Sequence, residues 1–151
     1  MAEPIRHAPR PLTREERATL EFLLHDAIPE VDVLRTQSAG TMVVSGCDCG
    51  CATIDLEVPP DAPLWEPNER VGRIAAKAFS HVGSPPHHGE LLLHVLDGRL
   101  AELEIVDTDA SGPLPQFPPV DSWQQPYAGE GPWEYSWPDD EPPPTDEPEQ
   151  V

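Results

Sequence analysis

All three cysteines of the chain stand within five positions, in the segment Cys47-Asp48-Cys49-Gly50-Cys51. A three-residue hairpin loop of Asp48, Cys49 and Gly50 would place Cys47 and Cys51 opposite each other and Cys49 at the tip. Three thiols so close together suit a soft metal ion, because zinc and copper(I) both favour thiolate ligands. The spacing therefore makes Cys47, Cys49 and Cys51 a candidate site for zinc or copper(I).

Two other interpretations of these cysteines stay open. They could be small, half-buried residues of a tight turn, or they could form a reactive, redox-sensitive thiol group. The two-residue cysteine spacing of zinc knuckles and ribbons is missing, and no basic residue lies nearby in the sequence to favour thiolates. A fourth metal ligand could come from Asp48, or from His87 or His88 in a Pro-rich loop.

The sequence carries none of the common enzyme motifs. It has no Gly-rich phosphate-binding loop and no nucleophile elbow. The acidic residues of segment 1–106 fall mostly on positions expected to face solvent, so no pair of catalytic carboxylates stands out. His94 is expected to face away from the main core in a structural role. These observations favour a non-enzymatic protein with no cofactor other than the zinc or copper ion considered above.

Charge divides the chain into two parts. The sequence has 9 Lys and Arg against 28 Asp and Glu, a formal net charge of −19, which does not suit binding to nucleic-acid phosphates. All nine basic residues precede residue 107, and segment 107–151 is rich in Pro, Asp and Glu. Such a segment buries too little apolar surface to offset the entropy lost on ordering, so 107–151 is predicted to be a disordered tail.

The same tail is unusually rich in aromatic residues for a disordered segment. Because Trp and Tyr commonly anchor interfaces, the tail is expected to bind a protein partner that offers a basic and apolar groove. The alternative is that the rings fold back onto the domain. The residues predicted to contact the partner are three rings and the carboxylates that follow them: Trp133, Tyr135, Trp137, Asp139, Asp140 and Glu141.

These features favour a non-enzymatic interaction protein of adaptor, regulatory or immunity type, with metal-binding or thiol-sensing and acidic mimicry of nucleic acid as the alternatives. No apolar run approaches the length of a membrane span, and the first residues lack a signal-peptide core. An odd number of cysteines argues against a secreted disulfide scaffold. The expected location is therefore the cytoplasm, without nucleic-acid or membrane partners.

Two helices are predicted in an α+β domain over residues 12–106, preceded by a flexible basic arm over 1–11. The first runs from Leu12 to Ile28, because Thr13 and Glu16 form a capping box and apolar residues recur at helical spacing up to Pro29. The second runs over residues 67–82, where apolar residues recur every three or four positions and a Gly-Ser-Pro-Pro sequence follows.

Two hairpins and a short strand over 31–37 complete the predicted domain. In hairpin 90–106, a three-residue loop ending at a left-handed Gly98 would put Leu93 on the face of Leu103, whereas a two-residue loop would put it with Glu102 and Glu104. Because burial favours the first arrangement, the three-residue loop is predicted. A similar loop ending at Gly50 in hairpin 41–58 would pair Val44 with Ile54 and Met42 with Leu56. The resulting order α-β-β-β-α-β-β predicts an antiparallel sheet of about five strands with two helices on one face.

Several segments resemble a type of small uncharacterised protein found in actinobacteria. The resemblance covers residues 12–106, omits the tail and implies no activity, substrate or site. The residues that carry it are Leu12-Thr13-Arg14-Glu15-Glu16-Arg17, Leu34-Arg35-Thr36-Gln37, Cys47-Asp48-Cys49-Gly50-Cys51 leading into Ile54-Asp55-Leu56, Leu91-Leu92-Leu93, Asp97-Gly98-Arg99-Leu100 and Leu103-Glu104-Ile105.

Overall fold

The computed structural model describes residues 4–66, 74–80, 89–107 and 115–129, which form an α+β fold. Within them one antiparallel sheet of seven strands, in the order β1-β2-β3-β6-β5-β4-β7, accompanies two α-helices. The α+β class is therefore confirmed, with seven strands rather than about five. The elements are β1 (Pro4–Pro11), α1 (Arg14–Leu23), α2 (Val31–Ala39), β2 (Met42–Cys47), β3 (Ile54–Glu57), β4 (Ile74–Ser80), β5 (Gly89–Leu96), β6 (Arg99–Asp107) and β7 (Tyr127–Ala128). Neither helix in these segments is long and apolar enough to cross a membrane.

A single hydrophobic core joins the helices to one face of the sheet. Apolar side chains of α1 and α2 pack with alternate residues of β5 and β6, and the side chains between them point to the opposite face. Burial of this apolar surface is the main force that holds the two layers together. The central residues are Leu20, Leu23, Leu34, Leu91, Leu93 and Leu103, all fully buried.

Helix α1 begins as the sequence predicts and ends earlier. The Thr13 hydroxyl accepts from the Glu16 amide and the Glu16 carboxylate accepts from the Thr13 amide, which completes the capping box. The helix ends at Leu23 rather than Ile28, although Leu24 and Ile28 are still buried. The apolar stripe therefore continues into a buried turn, which periodicity alone does not separate from a helix.

The prediction of a strand over 31–37 is wrong, because this segment is part of α2. Val31, Leu34 and Gln37 are buried at helical spacing, whereas Asp32, Arg35 and Thr36 are exposed. The β-branched residues of this short segment favour a strand locally, but burial of one helical face against the sheet outweighs that weak preference.

The prediction of a helix over 67–82 is also wrong, because residues 74–80 form strand β4. Residues 67–73 and 81–82 lie outside the described residues. Strand β4 pairs with β5 on one side and β7 on the other, and both of its faces are covered: Ala76 and Ala78 join the core while Lys77 and Phe79 are buried as well. A strand buried on both faces loses its polar alternation, so its apolar residues mimicked a helical stripe.

The hairpin of β5 and β6 has its apolar side chains on the predicted face, but its loop differs from the predicted one. Its loop is the two-residue turn Asp97-Gly98, with both residues left-handed at φ values of 53° and 78°, so the three-residue loop is wrong. Ala101 is an extra residue in β6 between Leu100, which pairs with Val95, and Glu102, which pairs with His94. This bulge shifts the register by one residue and places Leu103 opposite Leu93, on the core face as predicted.

The first hairpin differs from its predicted pairing. Leu56 pairs with Val43 and Ile54 with Gly46, because Val44 is an extra residue that forms a bulge in β2. Residues 48–53 lie between the two strands, so Cys47 and Cys51 are not a strand pair. The prediction for Gly50 is confirmed in one respect, since its φ is 97°.

Residues outside the predicted domain belong to the fold. Strand β1 pairs with β2 within the segment expected to be a flexible arm, and residues 115–129, here called the strap, pack on the domain within the expected disordered tail. Phe117 and Trp123 of the strap join the core at 6% exposure each. The prediction of disorder is therefore wrong for 4–11 and 115–129. Backbone pairing with β2 orders β1, and the strap is ordered by two large rings that supply apolar area which average composition hides.

Candidate metal centre

The cysteine cluster lies where strand β2 ends. Cys47 is the last residue of β2, and the amide of Gly50 donates to the carbonyl of Cys47 at 3.5 Å, which folds the chain back at once. A glycine favours this turn because the φ of 97° is a conformation that residues with a Cβ rarely adopt. The turn brings Cys47, Cys49 and Cys51 to the same end of the hairpin, as the sequence predicts.

The three sulfur atoms lie within 4.8 Å of one another. The Cys47 thiol donates to the Cys49 sulfur at 2.7 Å, and the backbone amide of Cys51 donates to the same sulfur at 3.4 Å. The amide of Cys49 in turn donates to the Cys47 sulfur at 3.4 Å. Cys49 is exposed, whereas Cys47 and Cys51 are half-buried, so the cluster is open to solvent on the side of Cys49.

These hydrogen bonds shift the pKa values of Cys47 and Cys49 in opposite directions. The hydrogen bond to Cys49 raises the pKa of Cys47 to about 11, because the neutral thiol is the donor. The thiol of Cys47, with help from the Cys51 thiol and amide, lowers the pKa of Cys49, because these groups stabilise its thiolate. Cys49 therefore loses its proton before Cys47 does. No basic residue lies close to the cysteines in the sequence, and neighbouring N–H and S–H groups favour the thiolate of Cys49 instead.

The donor set in this cluster consists of sulfur alone. Among the described residues no carboxylate or imidazole joins the three thiols, so Asp48 is not a fourth member of the group. His87 and His88, the other residues considered as a fourth ligand, lie outside the described residues. Three sulfurs match the coordination of copper(I), while structural zinc sites are almost always four-coordinate.

A cavity of about 450 Å³ opens beside the cysteine cluster. Cys47 and Cys51 line one wall, and Phe117 of the strap lines another. A third wall holds the ion pair in which the Arg10 guanidinium donates to both carboxylate oxygens of Glu16, at 2.9 and 3.0 Å. Burial would raise the pKa of Glu16, but the bonds from Arg10 and the Thr13 amide outweigh burial and lower it. The two charges of this wall, on Arg10 and Glu16, therefore neutralise each other.

The residues predicted to bind a protein partner lie outside the described residues. Interaction through the tail, the immunity-type or adaptor role, and mimicry of nucleic acid therefore stay predictions. The sequence also assigned His94 a structural role and nominated no carboxylate pair. The structure instead groups His94 with Glu102 and Glu104, which were separated from it in the sequence by the turn between β5 and β6.

Comparisons with known proteins return no match, whether against protein-family models, curated proteins or solved structures. The resemblance to small actinobacterial proteins accordingly stays a sequence-based expectation. Function is therefore argued from the chemistry of the described residues.

Proposed function

We propose that the protein binds a thiophilic metal ion through Cys47, Cys49 and Cys51. Copper(I) is the preferred candidate, and zinc is the alternative. The observation that carries this proposal is the convergence of three sulfur atoms within 4.8 Å. Thiolates are the protein ligands that select these soft ions over harder ones such as magnesium or calcium.

The hydrogen bonds of the loop support binding of a positive ion. Two backbone amides, those of Cys49 and Cys51, point at sulfur atoms of the cluster. Donors of this kind stabilise the negative charge of metal-bound thiolates and orient the ligands. The hydrogen bonds from Cys47 and Cys51 lower the pKa of Cys49, which favours its thiolate and so the first metal–sulfur bond.

The position of the cluster favours uptake and transfer of the ion over a structural role. Cys49 is exposed at a turn, and the buried core is built from helix, strand and strap residues, with Cys51 only at its margin. A structural metal centre usually supplies much of the folding energy of its domain. Here the core can form without the ion, so the apoprotein is expected to stay folded.

Copper(I) should bind the full-length protein stoichiometrically under anaerobic, reducing conditions, measured by competition with a coloured copper(I) chelator. Cys49→Ser should weaken binding by at least about tenfold, because it removes one of the three sulfur ligands. Asp48→Asn is the matched control in the same loop, and it should leave the affinity nearly unchanged. Circular dichroism should report a folded apoprotein for all three proteins.

The proposal fails if all three thiols of the folded protein react freely with a thiol reagent in the presence of stoichiometric copper(I) or zinc. It also fails if Asp48→Asn weakens binding as much as Cys49→Ser, since a general loss of acidic charge would then explain the effect. Binding of zinc but not copper(I), with the same dependence on Cys49, would identify zinc as the ion.

Metal affinity should rise steeply with pH, because coordination displaces the proton of Cys47. With a pKa of about 11, this thiol is protonated at neutral pH and loses its proton only on binding. Each displaced proton makes the apparent affinity rise about tenfold per pH unit below the pKa of the thiol, here between about pH 7 and pH 9. Chelator competition across this range measures the slope, and an affinity independent of pH would show that Cys47 is not a ligand.

A further inference from the structure

A second group of metal-ligating side chains lies on the sheet face that points away from the helices. In β5 the residues Leu91, Leu93 and Val95 enter the core, so His94 between them faces the other way. Glu102 pairs with His94 across the sheet, and Glu104 follows two residues later on the same face of β6. The bulge at Ala101 sets this arrangement, because it fixes which residues of β6 share a face with His94.

The three side chains converge closely. Nε2 of His94 lies 2.8 Å from Oε1 of Glu104 and 3.9 Å from Oε1 of Glu102. Ligand atoms from all three residues lie within 4.8 Å of one another. Nitrogen and oxygen ligands sit about 2.0–2.2 Å from zinc, so the ligands of one ion are about 3–4 Å apart, close to this spacing. The side chains are 21%, 34% and 33% exposed for His94, Glu102 and Glu104, which leaves the group accessible.

We propose that His94, Glu102 and Glu104 form a second metal site, for a divalent ion of intermediate hardness such as manganese(II), iron(II) or zinc. One imidazole and two carboxylates are a donor set that such ions accept and copper(I) does not favour. All three ligands stand on paired strands, which hold the geometry more rigidly than a loop does. The site is thus chemically distinct from the cysteine cluster, and it does not depend on the proposed function of that cluster.

Neighbouring charges favour a cation at this place. Asp55 pairs with Glu102 on the adjacent strand β3, and its carboxylate accepts from the Ser45 hydroxyl at 2.5 Å. Glu90, on the same face of β5, lies 3.7 Å from Lys77. Among these described side chains carboxylates outnumber positive charges, and such an excess raises the local concentration of cations.

Binding of Mn²⁺ to the full-length protein tests this site, because Mn²⁺ binds thiols weakly and prefers oxygen and nitrogen ligands. The loss of the free-ion signal in electron paramagnetic resonance should show a single saturable site. Glu104→Gln, which removes a ligand charge with little change in shape, and His94→Gln should each weaken binding by at least about tenfold. Replacing all three cysteines by Ser should leave Mn²⁺ binding unchanged.

Glu57→Gln is the matched control, since Glu57 is an exposed carboxylate on the same sheet and outside the group. It should change Mn²⁺ affinity by less than about twofold, as expected for a screened surface charge. The inference is overturned if Mn²⁺ does not bind saturably to the folded protein. It is also overturned if Glu57→Gln weakens binding as much as Glu104→Gln, because the acidic surface as a whole would then attract the ion.

Discussion

Ending the chain after Asp107 is expected to unfold the protein or to remove most of its stability. The truncation deletes the strap, and with it Phe117 and Trp123, which are 94% buried in the core. Removing one large aromatic side chain from a core costs about 3–5 kcal/mol, against a total stability of about 5–15 kcal/mol for a typical domain. The backbone bonds from the amides of Gln124 and Gly129 to β4 are lost as well.

Thermal and urea unfolding of three chain lengths measures this effect. A chain that ends after Gly129 keeps the strap and all its described contacts, so it should unfold close to the full-length protein. The single substitution Trp123→Ala should cost about 3–5 kcal/mol by itself. Equal stability of the chains ending at 107 and 129 would contradict the packing of the strap. The chain ending at 129 also allows the predicted partner-binding residues to be tested without damage to the fold.

Gln37→Glu is expected to destabilise the protein by about 3 kcal/mol or more at neutral pH, although it barely changes the size of the side chain. Gln37 is fully buried, and its amide nitrogen donates to the carbonyls of Pro63 and Gly98 at 2.8 and 2.7 Å. Its amide oxygen accepts from the Leu100 amide at 2.9 Å. A carboxylate can keep only the last of these bonds, and it would place a buried negative charge against two carbonyl oxygens.

Urea unfolding at two pH values tests the reason as well as the size of the effect. A carboxyl group among carbonyl oxygens has a pKa raised above the ordinary value of about 4.3, because only the protonated form can donate. The loss of stability should therefore be smallest below that pH and grow as the pH rises through it. Gln125→Glu, at an exposed position of the strap, is the matched control and should have little effect. Similar losses at both positions would contradict the role of Gln37.

Local chemistry in the sequence determined several features by itself. Thr13 and Glu16 predict the start of α1, because a capping box acts within one turn of chain. The alternation of apolar residues places four side chains on one face of the sheet: Leu91, Leu93, Leu103 and Ile105. Burial favours this arrangement, and both the predicted three-residue loop and the observed two-residue turn with a bulge produce it. The spacing of the cysteines brings the three sulfurs together, because a chain of five residues that turns back at a glycine cannot carry them far apart.

Tertiary contacts decided the remaining features. Whether 31–37 and 74–80 become helix or strand depends on which neighbours cover them, and local preferences of a fraction of a kcal/mol do not settle that choice. The strap is ordered because Phe117 and Trp123 find space in the core, which composition does not reveal. The bulge at Ala101 brings His94 and the two glutamates together across two strands. Each of these outcomes depends on contacts between residues distant in sequence, whose free energies exceed the local preferences of the chain.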